Sequence, residues 1–293
     1  MSGQWCIPPN KERHFAKFEA KARKLWKWMD AGADAINVFH ESPHRSTNDP
    51  WTYPDMSKLN SYFWQIAAQS RGPRQGLISL SLKPSGLYDP QDKSSLWKVR
   101  RFFTSLIGQG TVGNFDFVVA EGFTYPDELS CALDVIKGVS VASVVTLSVA
   151  ATNPSTKDQE KMIETLNGLK AAGATVVGMT CDLRSQEVLK MMKLIASEVE
   201  GPLAVLPIYQ KSNRILESFK DTQITAFYRE AYKMGFTFFG VDGSSSGRRQ
   251  LRLVSDLFGK KYRPIPADQP LPPSGAFMEL ESFTLSRIVS KRG

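Results

Sequence analysis

The chain has 293 residues, of which 42% are hydrophobic and 23% charged, and its formal net charge is +8. This composition excludes disordered, collagen-like and disulfide-scaffold proteins, and the length suits one large α/β domain with an appendage or two smaller domains. The basic residues are dispersed, and neither a nucleic-acid motif nor an apolar run of transmembrane length occurs, so we expect no nucleic-acid or membrane partner.

Apolar and amphipathic segments alternate along the chain. The predicted helices cover residues 11–31, 55–69, 94–107, 127–137, 156–172, 187–198, 222–234 and 248–258. The predicted strands cover residues 35–40, 77–82, 115–121, 141–149, 175–181, 203–209 and 236–241. Because these strands are almost continuously apolar, we expect them to be buried on both faces in a parallel sheet.

This order of elements predicts an α/β fold of the (β/α)8 TIM-type barrel class. Seven strands are one short of the full barrel, so Trp5–Ile7 would supply a truncated or irregular first strand. The alternative, an open doubly wound sheet, would place a glycine-rich phosphate loop after its first strand, and the sequence has none there. We therefore predict a barrel over residues 1–258 and a proline-rich carboxyl-terminal arm over residues 259–293.

The cysteine pattern indicates the cellular compartment of the protein, and the arm indicates its oligomeric state. Three cysteines without paired spacing fit a reducing compartment, and the amino-terminal residues lack the blocks of a signal peptide. We therefore expect a cytoplasmic protein. The arm suits wrapping around its own domain or around a neighbouring subunit, and we expect a homo-oligomer.

Residues at the carboxyl ends of barrel strands are the candidates for chemistry. Glu121 closes an apolar strand, where a carboxylate is costly to bury unless it is paired or faces a ligand; the alternative is a helix cap. Cys181 also ends a strand and is either a small core residue or a metal ligand or nucleophile. The other candidates at strand ends are Asn37, His40, Ser81, Ser148, Asp182, Tyr209 and Asp242.

Two local motifs have competing interpretations. Residues 40–44 read HExxH, but a zinc protease needs this motif on a helix, and here it follows a strand and contains Pro43. The interpretation that remains is that either His40 or His44 lines the mouth of the barrel. The run from Gly243 to Gly247, with Ser244 and Ser245, precedes two arginines and would hold an anion; the alternative is a serine helix cap.

Four stretches, at residues 31–37, 115–121, 168–181 and 228–235, resemble the homocysteine S-methyltransferase family, closest to its betaine–homocysteine type. The resemblance implies methyl transfer from a methylated onium donor to a small thiol, with zinc as the cofactor. It also implies that Glu121 contacts homocysteine and that Cys181 is the first zinc cysteine. A zinc-bound thiol loses its proton near neutral pH and becomes nucleophilic.

The sequence departs from the family pattern at the zinc site. Where the family ends its last strand with two glycines and two cysteines, this chain has Gly240-Val241-Asp242-Gly243. One thiolate does not hold zinc, so an Asp242 oxygen and a His40 nitrogen are the further candidate ligands. Gly122 stands where the family has a tyrosine after the glutamate.

The sequence therefore predicts a divergent homocysteine S-methyltransferase-like barrel that binds a thiol, an amino acid or a methylated onium compound. A catalytically inactive relative that serves as a binding or structural module is one alternative. A barrel enzyme that holds a phosphate or carboxylate at residues 243–249 is the other. The predicted catalytic residues are Glu121, Cys181 and Asp242, and the predicted substrate-binding residues are Asn37, His40, Glu121, Tyr209, Ser244 and Ser245.

Overall fold

A computed structural model describes residues 28, 31–39, 76–111, 115–149, 155–181, 186–207, 220–241 and 247–259. The strands in these ranges are β1 (Ala35–Phe39), β2 (Leu77–Leu82), β3 (Phe117–Phe123), β4 (Ala142–Ser148), β5 (Val176–Cys181), β6 (Leu203–Pro207) and β7 (Phe236–Phe239). The helices are α1 (Leu96–Thr111), α2 (Pro126–Lys137), α3 (Thr156–Ala171), α4 (Gln186–Glu198), α5 (Asp221–Lys233) and α6 (Gly247–Leu257), and a 3-10 turn at Lys93–Ser95 precedes α1.

The sheet is parallel, and each strand pairs with the next one in the chain, in the order β1 to β7. Each strand from β2 to β7 is followed by one of the helices. This arrangement confirms the predicted α/β class and the TIM-type barrel architecture, here as a curled half-barrel. The predicted first strand at residues 5–7 and the arm beyond Gly259 lie outside the described residues, so the domain boundaries stay predictions.

An aromatic contact across the sheet shows how strongly it curls. The rings of Phe117 on β3 and Phe238 on β7 lie 6.0 Å apart, edge to face. In a flat sheet these strands would be separated by four spacings, or about 19 Å. Curling brings the two rings together in an inner apolar cluster. This inner cluster also contains Val119, Val144, Val176, Ala204 and Leu206.

The outer face of the sheet packs against the helices. Strand residues that alternate with the inner ones, such as Val118, Val145 and Met179, share a large core with Phe103 and Met192 from the helices. Because side chains alternate between the two faces of a strand, this core and the inner cluster assign each strand residue to a side.

The last helix packs against the chain that leads into β1. Leu251 on α6 belongs to a small buried cluster with Trp28 and Ala31. The Ser255 hydroxyl donates a hydrogen bond to the carbonyl oxygen of Ala31 at 3.2 Å. These contacts hold the two ends of the described barrel segment together. Along the described residues, no helix combines the length and apolar character needed to cross a bilayer.

One strand differs from its predicted bounds in a way that shapes the site. The prediction ended the third strand at Glu121, whereas β3 continues to Phe123 through a register irregularity between Ala120 and Phe123. Gly122 lies in this irregularity with φ of 78°, a conformation that glycine adopts without a side-chain clash. The strand therefore bends immediately after Glu121.

Candidate functional site

Polar residues occupy the inner face at the carboxyl ends of β1 to β5. Strand β2 reads Leu-Ile-Ser-Leu-Ser-Leu, and its alternation puts Leu77 in the inner cluster and Ile78 in the outer core. By the same period Ser79, Ser81 and the following Lys83 belong to the inner side. The inner face of the sheet is thus apolar near the amino ends of the strands and polar near their carboxyl ends. We call this polar part, which includes Ser79, Ser81 and Lys83, the polar wall. Barrel enzymes bind their substrates at this end of the strands.

Glu121 is the centre of this polar group. Its Oε1 atom accepts hydrogen bonds from Asn37 Nδ2 at 3.0 Å and from Ser81 Oγ at 3.1 Å. Lys83 Nζ lies 2.7 Å from the same oxygen and forms an ion pair with it. Ser79 Oγ donates to Asn37 Oδ1 at 3.0 Å, which fixes the orientation of the amide. Three strands therefore converge on one carboxylate oxygen.

The second oxygen of Glu121, Oε2, has no hydrogen-bond partner within the described part of the chain. The Glu121 side chain is 15% exposed, whereas that of Lys83 is 38% exposed. A carboxylate that is mostly removed from water and bonded through only one oxygen retains acceptor capacity for a ligand.

A chain of hydrogen bonds fixes the bend that follows Glu121. The Gly122 N–H donates to Thr180 Oγ1 at 3.2 Å, and Thr180 Oγ1 lies 2.7 Å from Thr146 Oγ1. Thr146 Oγ1 in turn donates to the carbonyl oxygen of Ala120 at 3.3 Å. Both threonines are fully buried, so these bonds form away from competing water. They tie the bent end of β3 to β4 and β5.

A buried carboxylate anchors the loop that carries Lys83. Glu128, in the first turn of α2, is only 2% exposed. Its Oε1 atom accepts hydrogen bonds from the Ser85 N–H at 2.7 Å and the Ser85 hydroxyl at 2.6 Å. Because Ser85 lies two residues after Lys83, this anchor restricts the position of Lys83 relative to Glu121.

Cys181 lies on the other side of the sheet. It is fully buried in the core between the sheet and the helices, on the same side as Val177 and Met179. The neighbouring Thr180 is on the inner side with Glu121. The alternation of β5 therefore separates the Cys181 sulfur from the polar wall.

This placement does not fit the zinc site that the family resemblance implies. Within the described ranges, no group of three His, Cys, Asp or Glu residues is arranged to hold a metal ion. The described residues thus supply no zinc donor set. His40 and Asp242, the other candidate ligands, lie outside the described residues, and their roles stay predictions.

Some of the remaining predicted site residues lie outside the described residues, and others lie within them. Tyr209, Ser244 and Ser245 lie outside the described residues. Of the two arginines in the predicted anion site, Arg249 forms an ion pair with Asp221 at 2.6 Å. That contact joins the start of α6 to the start of α5. Arg249 thus has a structural partner.

The structure brings together Asn37, Ser81 and Glu121, which the sequence places at the ends of three separate strands. Sequence reasoning missed Lys83 and Ser79. The signal for both was the serine–leucine alternation of β2, which continues to Lys83 when it is counted in steps of two.

Comparisons with known proteins agree with this fold. A family model described as homocysteine S-methyltransferase matches residues 19–240. The fold is similar to the homocysteine methyltransferase MmuM from Escherichia coli in its metallated form (TM-score 0.61, 13% identity, 81% of this chain and 84% of that one). The apo form gives a TM-score of 0.59 at 12% identity, with 82% and 85% of the two chains covered.

A barrel of another kind is also similar. The 3-dehydroquinate dehydratase from Geobacillus kaustophilus has a TM-score of 0.53 and 14% identity, with 83% of this chain and 87% of that one covered. At these identities the structural likenesses establish the fold alone. Comparison with curated protein sequences gives no match.

Proposed function

This chain belongs to the homocysteine S-methyltransferase family, and from that premise we propose that it transfers a methyl group from a methylated onium donor to a small amino-acid thiol held at Glu121. The observation that carries the proposal is the anchored carboxylate at the carboxyl ends of the strands, with Oε1 bonded by the protein. The position matches the one at which the family resemblance assigns a contact to homocysteine.

The site supports the recognition step directly. The Asn37 and Ser81 side chains hold the carboxylate in a fixed orientation, so Oε2 is available to accept a hydrogen bond from the ammonium group of an amino acid. A charge-assisted bond of this kind is stronger than a neutral one, and partial burial strengthens it further. The hydroxyls of Thr146 and Thr180 are committed to the bend after Glu121 and serve to position it.

The chemistry follows from the two substrates. The thiol first gives its proton to water, and the resulting thiolate attacks the methyl carbon of the donor. A sulfur–carbon bond forms as the bond from carbon to the onium atom breaks, and the electron pair of that bond stays on the onium atom, which thereby loses its positive charge. The protein contributes by holding the acceptor in line with the donor, an effect that lowers the barrier through orientation.

A second candidate function is ligand binding without turnover. The burial of Cys181 in the outer core favours it, because this places the thiol away from the polar wall. Asp242 at a position where the family has cysteine favours it as well. In this case Glu121 would still bind an amino acid, and no methylated product would form.

The two candidates are separated by an assay with a deuterated methyl donor. Protein is incubated with L-homocysteine and with methyl-labelled glycine betaine or S-methylmethionine, and labelled methionine is measured by mass spectrometry. We expect labelled product from the natural sequence and a fall of about 10- to 100-fold in kcat/KM for Glu121→Gln, because a hydrogen bond to a charged group is lost.

The matched control is Glu230→Gln, an exposed carboxylate on α5 that pairs with Lys233. It should leave kcat/KM unchanged. Homocysteine binding measured by calorimetry without labelled product from either donor would support the second candidate. Equal activity of Glu121→Gln and the natural sequence would contradict the role given to Glu121.

A further inference from the structure

The charges at the polar wall form a compact pair. Lys83 Nζ and Glu121 Oε1 are 2.7 Å apart, and each group uses only part of its bonding capacity within the described residues. The ammonium of lysine has three donors, of which one is directed to Glu121. The carboxylate uses Oε1 and leaves Oε2. The pair therefore offers adjacent donors and an acceptor to a ligand.

We propose that Lys83 determines the specificity of this site by binding the carboxylate of an α-amino acid while Glu121 binds its ammonium group. This inference rests on the proposed function and deepens it by naming the zwitterion as the feature that is recognised. In an α-amino acid the ammonium group and the carboxylate are bonded to the same carbon, so the two charges are adjacent, as are the charges of Lys83 and Glu121. When the ligand binds, its two charges and those of Lys83 and Glu121 alternate in sign.

The alternatives to a zwitterion are less favourable on charge alone. A ligand with only an ammonium group would meet repulsion from Lys83 and would compete with it for Glu121. A ligand with only a carboxylate would meet repulsion from Glu121. Because Glu121 is mostly shielded from solvent, each of these mismatches is less screened than at an open surface. A neutral pair favours a ligand that is itself neutral overall.

The surrounding contacts are those that a recognition pair needs. Asn37 and Ser81 hold the carboxylate, and the Ser85–Glu128 anchor holds the loop on which Lys83 stands. Lys83 is the more exposed partner, so its remaining donors are accessible to a ligand that enters from solution. Lys83 is thus placed as the outer member of the pair and Glu121 as the inner one.

The test is calorimetric binding of three thiols under reducing conditions. They are L-homocysteine, 3-aminopropane-1-thiol, which lacks the carboxylate, and 4-mercaptobutanoate, which lacks the ammonium group. We expect the natural sequence to bind L-homocysteine at least about tenfold more tightly than either analogue. Lys83→Met and Lys83→Gln should weaken homocysteine binding by about tenfold or more and leave the binding of 3-aminopropane-1-thiol equal or tighter.

The control is Lys190→Met, an exposed lysine on α4 that pairs with Glu187. It should bind all three thiols as the natural sequence does. If both Lys83 variants bind homocysteine as tightly as the natural sequence, or more tightly, the inference is overturned while the role of Glu121 stands. If the folded natural sequence binds none of the thiols, the proposed function fails, and this inference fails with it.

Discussion

The anchor beneath Lys83 gives the most quantitative prediction. Replacing Ser85 with alanine removes the hydroxyl that donates to Glu128 at 2.6 Å and that accepts from the Leu87 N–H at 3.1 Å. The backbone bond from the Ser85 N–H to Glu128 is retained, because the substitution does not change the main chain. Ser85→Ala therefore tests the side-chain part of the anchor alone.

The magnitude follows from the two bonds. A hydrogen bond to a charged group contributes about 1.5 to 3 kcal/mol, and Glu128 is almost wholly removed from water, so solvent does not replace it. The Leu87 N–H, left without its acceptor, adds about 1 kcal/mol. We expect a loss of about 2 to 4 kcal/mol in the free energy of unfolding, or about 3 to 6 °C in Tm for a chain of this length.

The assay is urea unfolding followed by circular dichroism, with Ser130→Ala as the matched control. Ser130 is an exposed serine on the same helix as Glu128, so its replacement should change the stability by about 0.5 kcal/mol or less. If Ser85→Ala lies within that same range of the natural sequence, the hydroxyl does not hold the loop, and the side-chain part of the anchor beneath Lys83 is refuted.

Two further predictions concern the buried thiol and a helix cap. Because Cys181 is fully buried in the outer core, we expect iodoacetamide to modify it only after unfolding, with or without a chelator; labelling of the folded protein that appears on chelation would instead indicate zinc ligation. Hydrogen bonds from Ser155 at the start of α3 hold the pKa of Asp158 below its ordinary value of 3.8. The charged carboxylate is thus favoured by folding, and its contribution is present above pH 3.8 and lost as the pH falls through the lowered pKa. Ser155→Ala should raise the pKa of Asp158 in a carboxyl carbon NMR titration, and an unchanged pKa would contradict the cap.

The strands were predictable because each is a buried apolar run between amphipathic segments. The same patterns could not give the bend after Glu121. That bend depends on the positive φ of Gly122 and on a bond to Thr180, which lies 58 residues further along the chain. A local sequence pattern contains no information on such a partner.

The sequence predicted where the site lies better than it predicted which residues form it. Glu121 and Asn37 were placed at strand ends, but their contact joins residues 84 positions apart and needs the curl of the sheet. Lys83 follows β2 and was missed, although the alternation that includes Ser81 extends to it. The position of Cys181 at the end of β5 made it a candidate metal ligand. Which face of the sheet it occupies follows from the alternation of side chains along the strand: Cys181 is next to Thr180, which is on the inner face, so it belongs to the outer face.

The most decisive measurement is a crystal structure of the protein with L-homocysteine bound. We expect electron density for the amino acid at the carboxyl ends of the strands, with its ammonium group in hydrogen-bond contact with Glu121 Oε2 and its carboxylate beside Lys83. Density for the amino acid at another place, with Glu121 and Lys83 bonded only to each other, would contradict this expectation.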